Sequence, residues 1–189
     1  ETADARREML WKPKAKMILE ILERYGAKDH KVVDIGGGYG LFADVIRDLS
    51  GKVPVVIEPS PDMATVCRNH SLPVVEKFLE HVQSTDLPVG PKAFVSFELF
   101  ENLHNPPEFL SQLNDLMQSG DLFIFTTLSG TGIDIQALWE NSKSVSPPHH
   151  LNFLNPRSIG ILLSHIGFQA LDISTPGKLD IDILSNNCD

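Results

Sequence analysis

The stretch Val32-Val33-Asp34-Ile35-Gly36-Gly37-Gly38-Tyr39-Gly40 decides the fold, because it runs a β-strand directly into a glycine-rich turn. Glycine adopts backbone dihedral angles that other residues avoid and lets a ligand approach the main chain. The helix predicted from Leu41 presents unpaired N–H groups and partial positive charge at its N-terminus. We therefore expect a nucleotide-like ligand at this turn, outside the carboxyl end of the first strand of an α/β sheet.

Short apolar runs alternate with amphipathic stretches along the rest of the chain, which is typical of a parallel sheet with helices on both faces. Strands are predicted at 31–35, 53–57, 73–78, 92–99 and 122–128, the last as a buried central strand. Helices are predicted at 7–25, 41–49, from Pro61, after the cap at Asn105, at 135–140 and from Asn155 to Ile166. The 26-residue stretch 129–154 is otherwise a loop, and loops of that length tend to be functional or disordered.

The end of the chain is predicted to close the sheet. Residues 168–174 and 178–184 alternate apolar and polar side chains around Pro176-Gly177, which predicts an antiparallel hairpin. The fold class is therefore α/β, with a mostly parallel seven-stranded sheet. We expect residues 1–29 to form an N-terminal helical arm and residues 30–189 to form one domain.

Charge is unevenly distributed. The 189 residues carry 16 Lys and Arg against 25 Asp and Glu, a net charge of −9. Residues 1–31 have a net charge of +2, and the remaining 158 residues have a net charge of −11. An acidic body repels a phosphate backbone, so no nucleic-acid partner is predicted. The basic arm is either a solvated helix face or an entry lid for an anionic substrate.

Cysteine content and hydropathy bear on location. Cys67 and Cys188 are too few and too far apart for a zinc site or a disulfide framework, which favours free thiols in a reducing compartment. No apolar run approaches the roughly 20 residues of a membrane helix, and no signal-peptide pattern opens the chain. We expect a cytoplasmic protein with no membrane partner. The start at Glu1 and the end at Asp189 indicate a piece of a longer protein.

Two carboxylates discriminate between ligands. Gly38 to Ala43 fits the G-x-G-x-x-A dinucleotide fingerprint, and Glu58 at the end of the second strand could bind a ribose diol. Asp34, however, lies inside an apolar strand, where a carboxylate is unfavourable unless the site provides a partner. A pyrophosphate would be repelled by it, whereas an ammonium or a sulfonium would be attracted. Asp34 therefore favours a cationic cofactor over a dinucleotide.

These features together resemble one enzyme class. Asp34-x-Gly36-x-Gly38-x-Gly40, Glu58, and the segment Ser-Phe-Glu-Leu-Phe-Glu at 96–101 resemble the class I S-adenosylmethionine-dependent methyltransferases, in motif order over residues 30–184. Within that class the chain is similar to the ubiquinone-biosynthesis type and its small-molecule relatives. The resemblance implies a Rossmann-like fold and methyl transfer from S-adenosylmethionine to a small-molecule acceptor, with a hydroxyl oxygen favoured.

The resemblance also implies which residues bind the cofactor. The glycine turn would surround its methionine part, and Glu58 would bind the ribose hydroxyls. Met63, Phe78 and Leu79 would border the adenine, or simply pack in the core. The reactive end would face Phe97 and Glu98. The expected cofactor-binding residues are Asp34, Gly36, Gly37, Gly38, Tyr39, Gly40, Glu58, Pro59, Ser60, Met63, Phe78, Leu79, Phe97 and Glu98.

A general base is needed only to deprotonate the acceptor, because in-line methyl transfer depends mainly on alignment of the two reactants. Histidine suits this role near neutral pH. The candidates are His104, after the fourth strand, and the pair His149 and His150 in the long loop, although any of them could be an ordinary loop residue. The other four histidines, His30, His70, His81 and His165, are predicted to be surface or packing residues.

One departure limits the analogy. Some ubiquinone-type relatives bind a divalent metal through Glu-x-x-Glu-His after strand four, whereas this chain reads Glu98-Leu99-Phe100-Glu101-Asn102. No metal is predicted, and Glu98 and Glu101 could instead contact substrate or end the strand. Two alternatives to the methyltransferase remain open: a nicotinamide-dependent oxidoreductase, and a methyltransferase-like cofactor-binding module without turnover. Neither the acceptor nor the oligomeric state follows from the sequence.

Overall fold

A computed structural model of the chain describes residues 3–175. These residues divide into two compact units. The first unit comprises Glu1–Phe97 and Asp115–Phe125, and the second comprises Glu98–Asn114 and Thr126–Asp189. The predicted helical arm belongs to the first unit.

The first unit contains a five-stranded sheet. Its strands are β1 (Lys31–Ile35), β2 (Val55–Ile57), β3 (Val74–Val75), β4 (Lys92–Phe97) and β5 (Leu122–Thr126), in the order β3-β2-β1-β4-β5. The pairs β1–β2, β1–β4 and β2–β3 are parallel. The strand order reverses between β1 and β4, and in open α/β sheets ligands bind outside the carboxyl ends of the strands at such a reversal. The α/β, Rossmann-like class is confirmed.

Helices connect the strands. In chain order they are α1 (Ala3–Arg6), a π-helical segment Arg7–Trp11, α2 (Lys12–Arg24), α3 (Leu41–Ser50), α4 (Pro61–Asn69), α5 (Pro106–Leu116), α6 (Ile133–Leu138) and α7 (Pro156–Ile166). The capping signals explain their ends. Ser60 caps α4, Asn155 caps α7 by accepting from Ser158 N–H at 2.9 Å, and Gly51 ends α3 in the left-handed conformation. None of the helices in residues 3–175 is both long and apolar enough to cross a membrane.

The core of the first unit lies between α2, α3 and one face of the sheet. Ile18 and Leu22 of α2 and Phe42 and Ile46 of α3 are almost fully buried. They pack with side chains of β1 and β4, namely Val32, Ala93 and Val95. This packing fixes the start of α3, and therefore the glycine turn before it, against the central strand.

Four predicted strands are longer than the observed ones, and one of them, β5, ends at Thr126 rather than at 128. β2 begins at Val55 rather than 53, β3 comprises only Val74–Val75, and β4 ends at Phe97 because Glu98 has a φ of 49°, outside the extended region. β5 was expected to be a buried central strand. It is instead the terminal strand of the sheet described for residues 3–175, and its residues are half-buried.

The predicted hairpin is not shown. Residues 168–175 have no strand, although they alternate in polarity, because no partner strand pairs with them in the described part of the chain. The second arm, 178–184, and the turn at Pro176-Gly177 lie outside the described residues. The seven-stranded sheet is therefore not shown either.

The second unit contains the long loop, which is more ordered than expected. α6 begins at Ile133, two residues earlier than predicted, and a 3₁₀ turn over Trp139–Asn141 follows it. The Asp134 carboxylate accepts hydrogen bonds from Ser142 Oγ at 2.7 Å and Ser144 Oγ at 2.6 Å. These bonds fold the loop back on its own helix.

Candidate functional site

The glycine turn after β1 requires glycine at alternate positions. Gly36, Gly38 and Gly40 have φ values of 70°, 56° and 76°, which other residues rarely adopt. Gly36 N–H donates to Ile57 O of β2 at 2.8 Å, and Gly40 N–H donates to Gly37 O at 2.9 Å. The turn is therefore closed by its own main chain and anchored to the neighbouring strand.

Gly37 is required for a different reason. A Cβ atom there would lie 2.7 Å from Asp34 Oδ2 and 2.7 Å from Val56 Cγ1. Both distances are shorter than van der Waals contact, so any side chain would displace the turn or the Asp34 carboxyl group. The absence of a side chain at this position brings the main chain directly over the carboxylate.

Asp34 is the most unusual charged group of the site. The residue is 2% exposed, and its Oδ2 atom has no hydrogen-bond partner among residues 3–175. Burial, and secondarily the negative charge of Glu58, raises the pKa of Asp34 to about 7. A buried carboxylate oxygen without a donor is unfavourable, so Oδ2 of Asp34 is an acceptor that lacks a donor among the described residues.

Glu58, at the end of β2, holds the turn from the other side. Its Oε2 accepts from Gly38 N–H at 2.8 Å, and its Oε1 accepts from Ser60 N–H at 2.9 Å. The residue is 6% exposed. Each carboxylate oxygen can accept a further hydrogen bond, so the group can still bind a diol while it orders the turn.

Cys67 also supports the turn, which the sequence did not reveal. Its Sγ lies 3.1 Å from Gly38 O, and a Cβ at Gly40 would lie 2.9 Å from the same sulfur. Burial, followed by the charge of Asp34, raises the pKa of the thiol to about 11. The thiol therefore donates to the turn, and Gly38 is held at its N–H by Glu58 and at its carbonyl by Cys67.

The residues expected beside the ribose and adenine surround Glu58 and the end of β3. Pro59, Ser60 and Met63 are half-buried at the start of α4, where Met63 N–H lies 3.5 Å from Ser60 Oγ. Leu79 is buried, whereas Phe78 is 61% exposed and contacts the ring of His81 edge-on. Among the residues of the turn, Tyr39 is exposed.

Phe97, the last residue of β4, belongs to an aromatic cluster formed by Trp11, Phe42 and Phe97. Its ring centroid lies 4.7 Å from that of Phe42 and 5.7 Å from that of Trp11. Phe42 is in the first turn of α3, directly after the glycine turn. The helical arm thus supplies an aromatic side chain to the wall beside the turn.

The other predicted acidic residues lie in the second unit. Glu98 is exposed, and its Oε1 accepts from Thr126 Oγ1 at 2.7 Å. Glu101 is buried, and its Oε2 accepts from Thr127 Oγ1 at 2.9 Å. Burial raises the pKa of Glu101. Among residues 3–175, no group of three or more His, Cys, Asp and Glu side chains is arranged to hold a metal ion.

The three candidate bases also belong to the second unit. His104 and His149 are exposed, and His150 is half-buried. His150 Nδ1 lies 2.8 Å from Ser144 O, which can only accept. Nδ1 therefore carries the proton, and Nε2 of the neutral ring is an acceptor. The loop is attached to the segment after β4, since Leu151 N–H donates to Glu101 O at 2.7 Å.

His30 and His70, two of the remaining histidines, have polar contacts. His70 Nδ1 pairs with the buried carboxylate of Asp44, which also forms an ion pair with Arg47. His30 Nε2 lies 2.9 Å from Gly120 O. Sequence spacing carries no sign of these pairs, because their members are 26 and 90 residues apart.

Comparison with known proteins identifies one family. A family model described as a methyltransferase domain matches residues 5–173. No curated protein sequence matches the chain.

Several solved structures are similar in fold. The plantazolicin methyltransferase BpumL, in complex with a triazolic desmethylPZN analog and SAH, matches with a TM-score of 0.67 and 15% identity, over 97% of this chain and 78% of that one. A methyltransferase from Archaeoglobus fulgidus matches with a TM-score of 0.59 and 18% identity, over 92% and 84%. A possible histamine N-methyltransferase from Thermotoga maritima matches with a TM-score of 0.58 and 19% identity, over 74% and 64%.

At these identities the similarity shows the fold alone. The chain also spans only part of some of these proteins, including 64% of the Thermotoga maritima protein and 51% of DesVI from Streptomyces venezuelae.

Proposed function

The chain belongs to the family of methyltransferase domains whose model matches residues 5–173, and from this premise we propose that it transfers the methyl group of S-adenosylmethionine to a small-molecule acceptor, at a hydroxyl oxygen. The observation that carries the proposal is the buried, unpartnered Oδ2 of Asp34 beside the glycine turn. When bound, S-adenosylmethionine supplies an electrophilic methyl group on a positively charged sulfur.

The residues of the turn fit this cofactor. Oδ2 of Asp34 lacks a donor among the described residues, and the methionine part of the cofactor carries an ammonium group. A dinucleotide would bring a pyrophosphate to the same place, where Asp34 would repel it. We assign the methionine part to Asp34 and the turn Gly36–Gly40.

Glu58 is assigned to the ribose hydroxyls, because both of its oxygens retain accepting capacity. Tyr39, Pro59 and Ser60 would border the ribose and the turn. We assign the adenine to Met63, Phe78 and Leu79. Phe78 is the most exposed of these three side chains, so adenine binding would cover an apolar surface that is open in the described structure.

Catalysis would depend mainly on alignment and on exclusion of water. Phe97 and its aromatic cluster would form a low-polarity wall, and Glu98 would lie at the reactive end. An attack by an anionic oxygen on a cation neutralises charge, so a dry apolar wall favours the reaction over the separated ions. Phe97, its aromatic cluster and Glu98 would therefore act by holding the methyl donor and the acceptor at contact distance.

His150 is the best supported of the three candidate bases, His104, His149 and His150. Its Nδ1 is committed to Ser144 O, which leaves Nε2 as the proton acceptor toward a substrate hydroxyl. The proton would pass from the acceptor hydroxyl to Nε2 as the oxygen becomes the nucleophile.

Four further expectations belong to this proposal. The division into a helical arm, 1–29, and a cofactor-binding domain, 30–189, remains a prediction. A cytoplasmic location is proposed from the isolated cysteines, and an acidic body supports a small molecule rather than nucleic acid as substrate. The narrower similarity to ubiquinone-type enzymes remains a prediction.

Thermal unfolding with S-adenosylhomocysteine, and separately with NADH, tests the cofactor. A ligand at a hundred times its Kd stabilises by about 2.7 kcal/mol, which is a rise in Tm of roughly 5–10 °C for a chain of this size. We expect that rise with S-adenosylhomocysteine and none with NADH. A rise with NADH alone would support the oxidoreductase instead. Binding without methyl transfer to any of a panel of phenols, amines and carbon acids would support a binding module.

A further inference from the structure

The second unit contains a cavity of about 400 Å³ that the proposed cofactor site does not use. Its lining lies within residues 130–155 and includes Ile135, Trp139, Glu140, Val145, Phe153 and Asn155. None of the residues assigned to the cofactor belongs to this lining. Concave sites of this size, mostly apolar with a few polar groups, are typical of small-molecule binding. The cavity is therefore a candidate site for a second ligand.

Aromatic surface in the lining is exposed to solvent. Trp139 is 71% exposed and Phe153 is 37% exposed, whereas Ile135 is only 5% exposed. Burial of apolar surface that is open in the free protein stabilises a complex. A ligand with an apolar or aromatic body would therefore gain affinity by covering these two rings.

The fold holds Trp139 in this exposed position. Its φ of 48° and ψ of −118° lie outside the regions that residues with a bulky side chain adopt. The main chain around it is nevertheless fixed, because Ser142 N–H donates to Trp139 O at 3.0 Å and Ser142 Oγ donates to Asp134 Oδ2 at 2.7 Å. Strained residues of this kind are concentrated at functional sites such as ligand sites. The surroundings thus maintain an exposed indole at an unfavourable backbone conformation.

Glu140 supplies the charge of the cavity. Among the lining residues, all of them in the described part of the chain, it alone is charged. Its carboxylate has no hydrogen-bond or ion-pair partner among residues 3–175, and Lys143, three positions further on, forms no ion pair with it there. An ammonium group is attracted both by a carboxylate and by the electron-rich faces of aromatic rings. The net charge of −9 also attracts cations, so the cavity favours an organic cation over a neutral or anionic ligand.

One side of the lining adjoins the segment that orients His150, the proposed base. Val145 of the lining directly follows Ser144, whose carbonyl accepts from His150 Nδ1 at 2.8 Å. Ser144 Oγ in turn donates to the Asp134 carboxylate at 2.6 Å, on the helix that leads to Trp139. A molecule held in the cavity is therefore held by the same folded segment that positions His150.

We infer that this cavity binds the methyl acceptor, that Glu140 pairs with an ammonium group of the acceptor, and that Trp139 and Phe153 cover its apolar body. The acceptor is then a hydroxylated amine with an aromatic or aliphatic skeleton. The inference rests on the proposed function for the role of this ligand as the acceptor, but binding of an amine to the cavity is measurable without methyl transfer.

The first experiment titrates three phenols of similar shape whose side chains differ in charge: tyramine, an ammonium; tyrosol, a neutral alcohol; and 3-(4-hydroxyphenyl)propionate, a carboxylate. Protein NMR at pH 7 monitors the indole N–H signals of the two tryptophans, Trp11 and Trp139, which a Trp139→Phe spectrum assigns. We expect tyramine to bind about fivefold to tenfold more tightly than tyrosol, and the carboxylate to bind most weakly. The Trp139 signal should shift, and the signal of Trp11, in the first unit, should not.

The second experiment repeats these titrations with variants. Glu140→Gln removes the charge at nearly constant shape, and Asp172→Asn, at an exposed position of the same unit, is the matched control. Glu140→Gln should reduce the preference for tyramine over tyrosol to about twofold and leave the affinity for tyrosol within about twofold of the wild type. Asp172→Asn should keep the wild-type preference. Trp139→Leu, which keeps an apolar side chain, should weaken tyramine binding about threefold or more. The Tm of each variant shows whether it is folded.

The inference and the proposed function fail in different ways. If tyramine does not shift the Trp139 signal, if the wild type binds all three phenols equally, or if Glu140→Gln keeps the same preference as Asp172→Asn, the cavity is not an amine site. Binding of S-adenosylhomocysteine in the same preparation would then leave the proposed function standing. If tyramine binds as expected but S-adenosylhomocysteine does not bind, the proposed function fails, and the amine site stands without a role in methyl transfer.

Discussion

Glu58 Oε2 lies 2.8 Å from the main-chain nitrogen of Gly38, so the acidic end of β2 holds the glycine turn that follows β1. The same carboxylate accepts from Ser60 N–H, at the start of α4. One side chain therefore orders the two segments that we assign to the methionine and ribose parts of the cofactor. Its position predicts that the residue proposed to bind the ribose also contributes to the stability of the fold.

Replacement of Glu58 should affect both the stability of the fold and the binding of the cofactor. In Glu58→Ala two N–H groups lose their acceptor, and we expect the free energy of unfolding to fall by about 1–3 kcal/mol. The affinity for S-adenosylhomocysteine should fall more than tenfold, because the diol also loses its acceptor. Urea denaturation and calorimetry measure the two effects, with Glu20→Ala, an exposed residue of α2, as control. Wild-type affinity in folded Glu58→Ala would contradict the ribose assignment.

The raised pKa of Asp34 predicts a pH-dependent stability. Since the pKa rises from 3.8 to about 7 on folding, the folded state binds the extra proton between those values. The contribution of Asp34 to the free energy of unfolding is complete below about pH 4 and is lost as the pH rises through 7. Between pH 5 and pH 8 this loss amounts to up to ~3 kcal/mol. Asp34→Asn, which cannot ionise, should lack this loss.

The measurement is urea denaturation of the wild type and Asp34→Asn at pH 5 and pH 8, without ligand. Asp34→Asn should gain stability relative to the wild type on going to pH 8. Asp115→Asn, at an exposed position, should show no such relative gain. If the free energies of unfolding of wild type and Asp34→Asn differ by the same amount at both pH values, Asp34 titrates normally.

Two glycines offer a matched pair of substitutions. A Cβ at Gly37 would lie 2.7 Å from Asp34 Oδ2, whereas a Cβ at Gly160 in α7 would lie 3.5 Å from Ile173 Cδ1, an ordinary contact. Gly37→Ala should therefore lower the Tm and weaken S-adenosylhomocysteine binding at least tenfold. Gly160→Ala should raise stability by about 0.5–1 kcal/mol, because alanine favours a helix, and should leave binding unchanged. Tight binding by Gly37→Ala would show that the turn tolerates a side chain.

The parts of the fold with local signals could be predicted from the sequence. β1, the glycine turn, α3 and the caps at Ser60 and Asn155 depend on residues a few positions apart, and their predicted positions are confirmed. Strand ends depend on pairing between distant segments. β3 is therefore two residues long although a six-residue strand was predicted, and β4 ends where Glu98 leaves the extended conformation.

The candidate site also contains features that local sequence signals predict and features that depend on residues far apart in the chain. The resemblance to methyltransferases, drawn from Asp34, the glycines and Glu58, is confirmed by the family match. The contact of Cys67 with Gly38 O spans 29 residues, and the contacts of Trp11 and Lys14 with Phe97 span more than 80, so no spacing rule reveals them. The π-helical segment over Arg7–Trp11, which precedes this cluster, also carries no recognisable sequence signal.

The central claim is that the carboxylate of Asp34 receives a positively charged group of the cofactor. Calorimetric titration of S-adenosylhomocysteine into the wild type and Asp34→Asn, at pH 6 and pH 7.5, tests it most directly. We predict that wild-type affinity rises about fivefold to tenfold at the higher pH, as Asp34 ionises, and that Asp34→Asn binds weakly at both. Equal affinity of the two proteins, with no change between the two pH values, would contradict the claim.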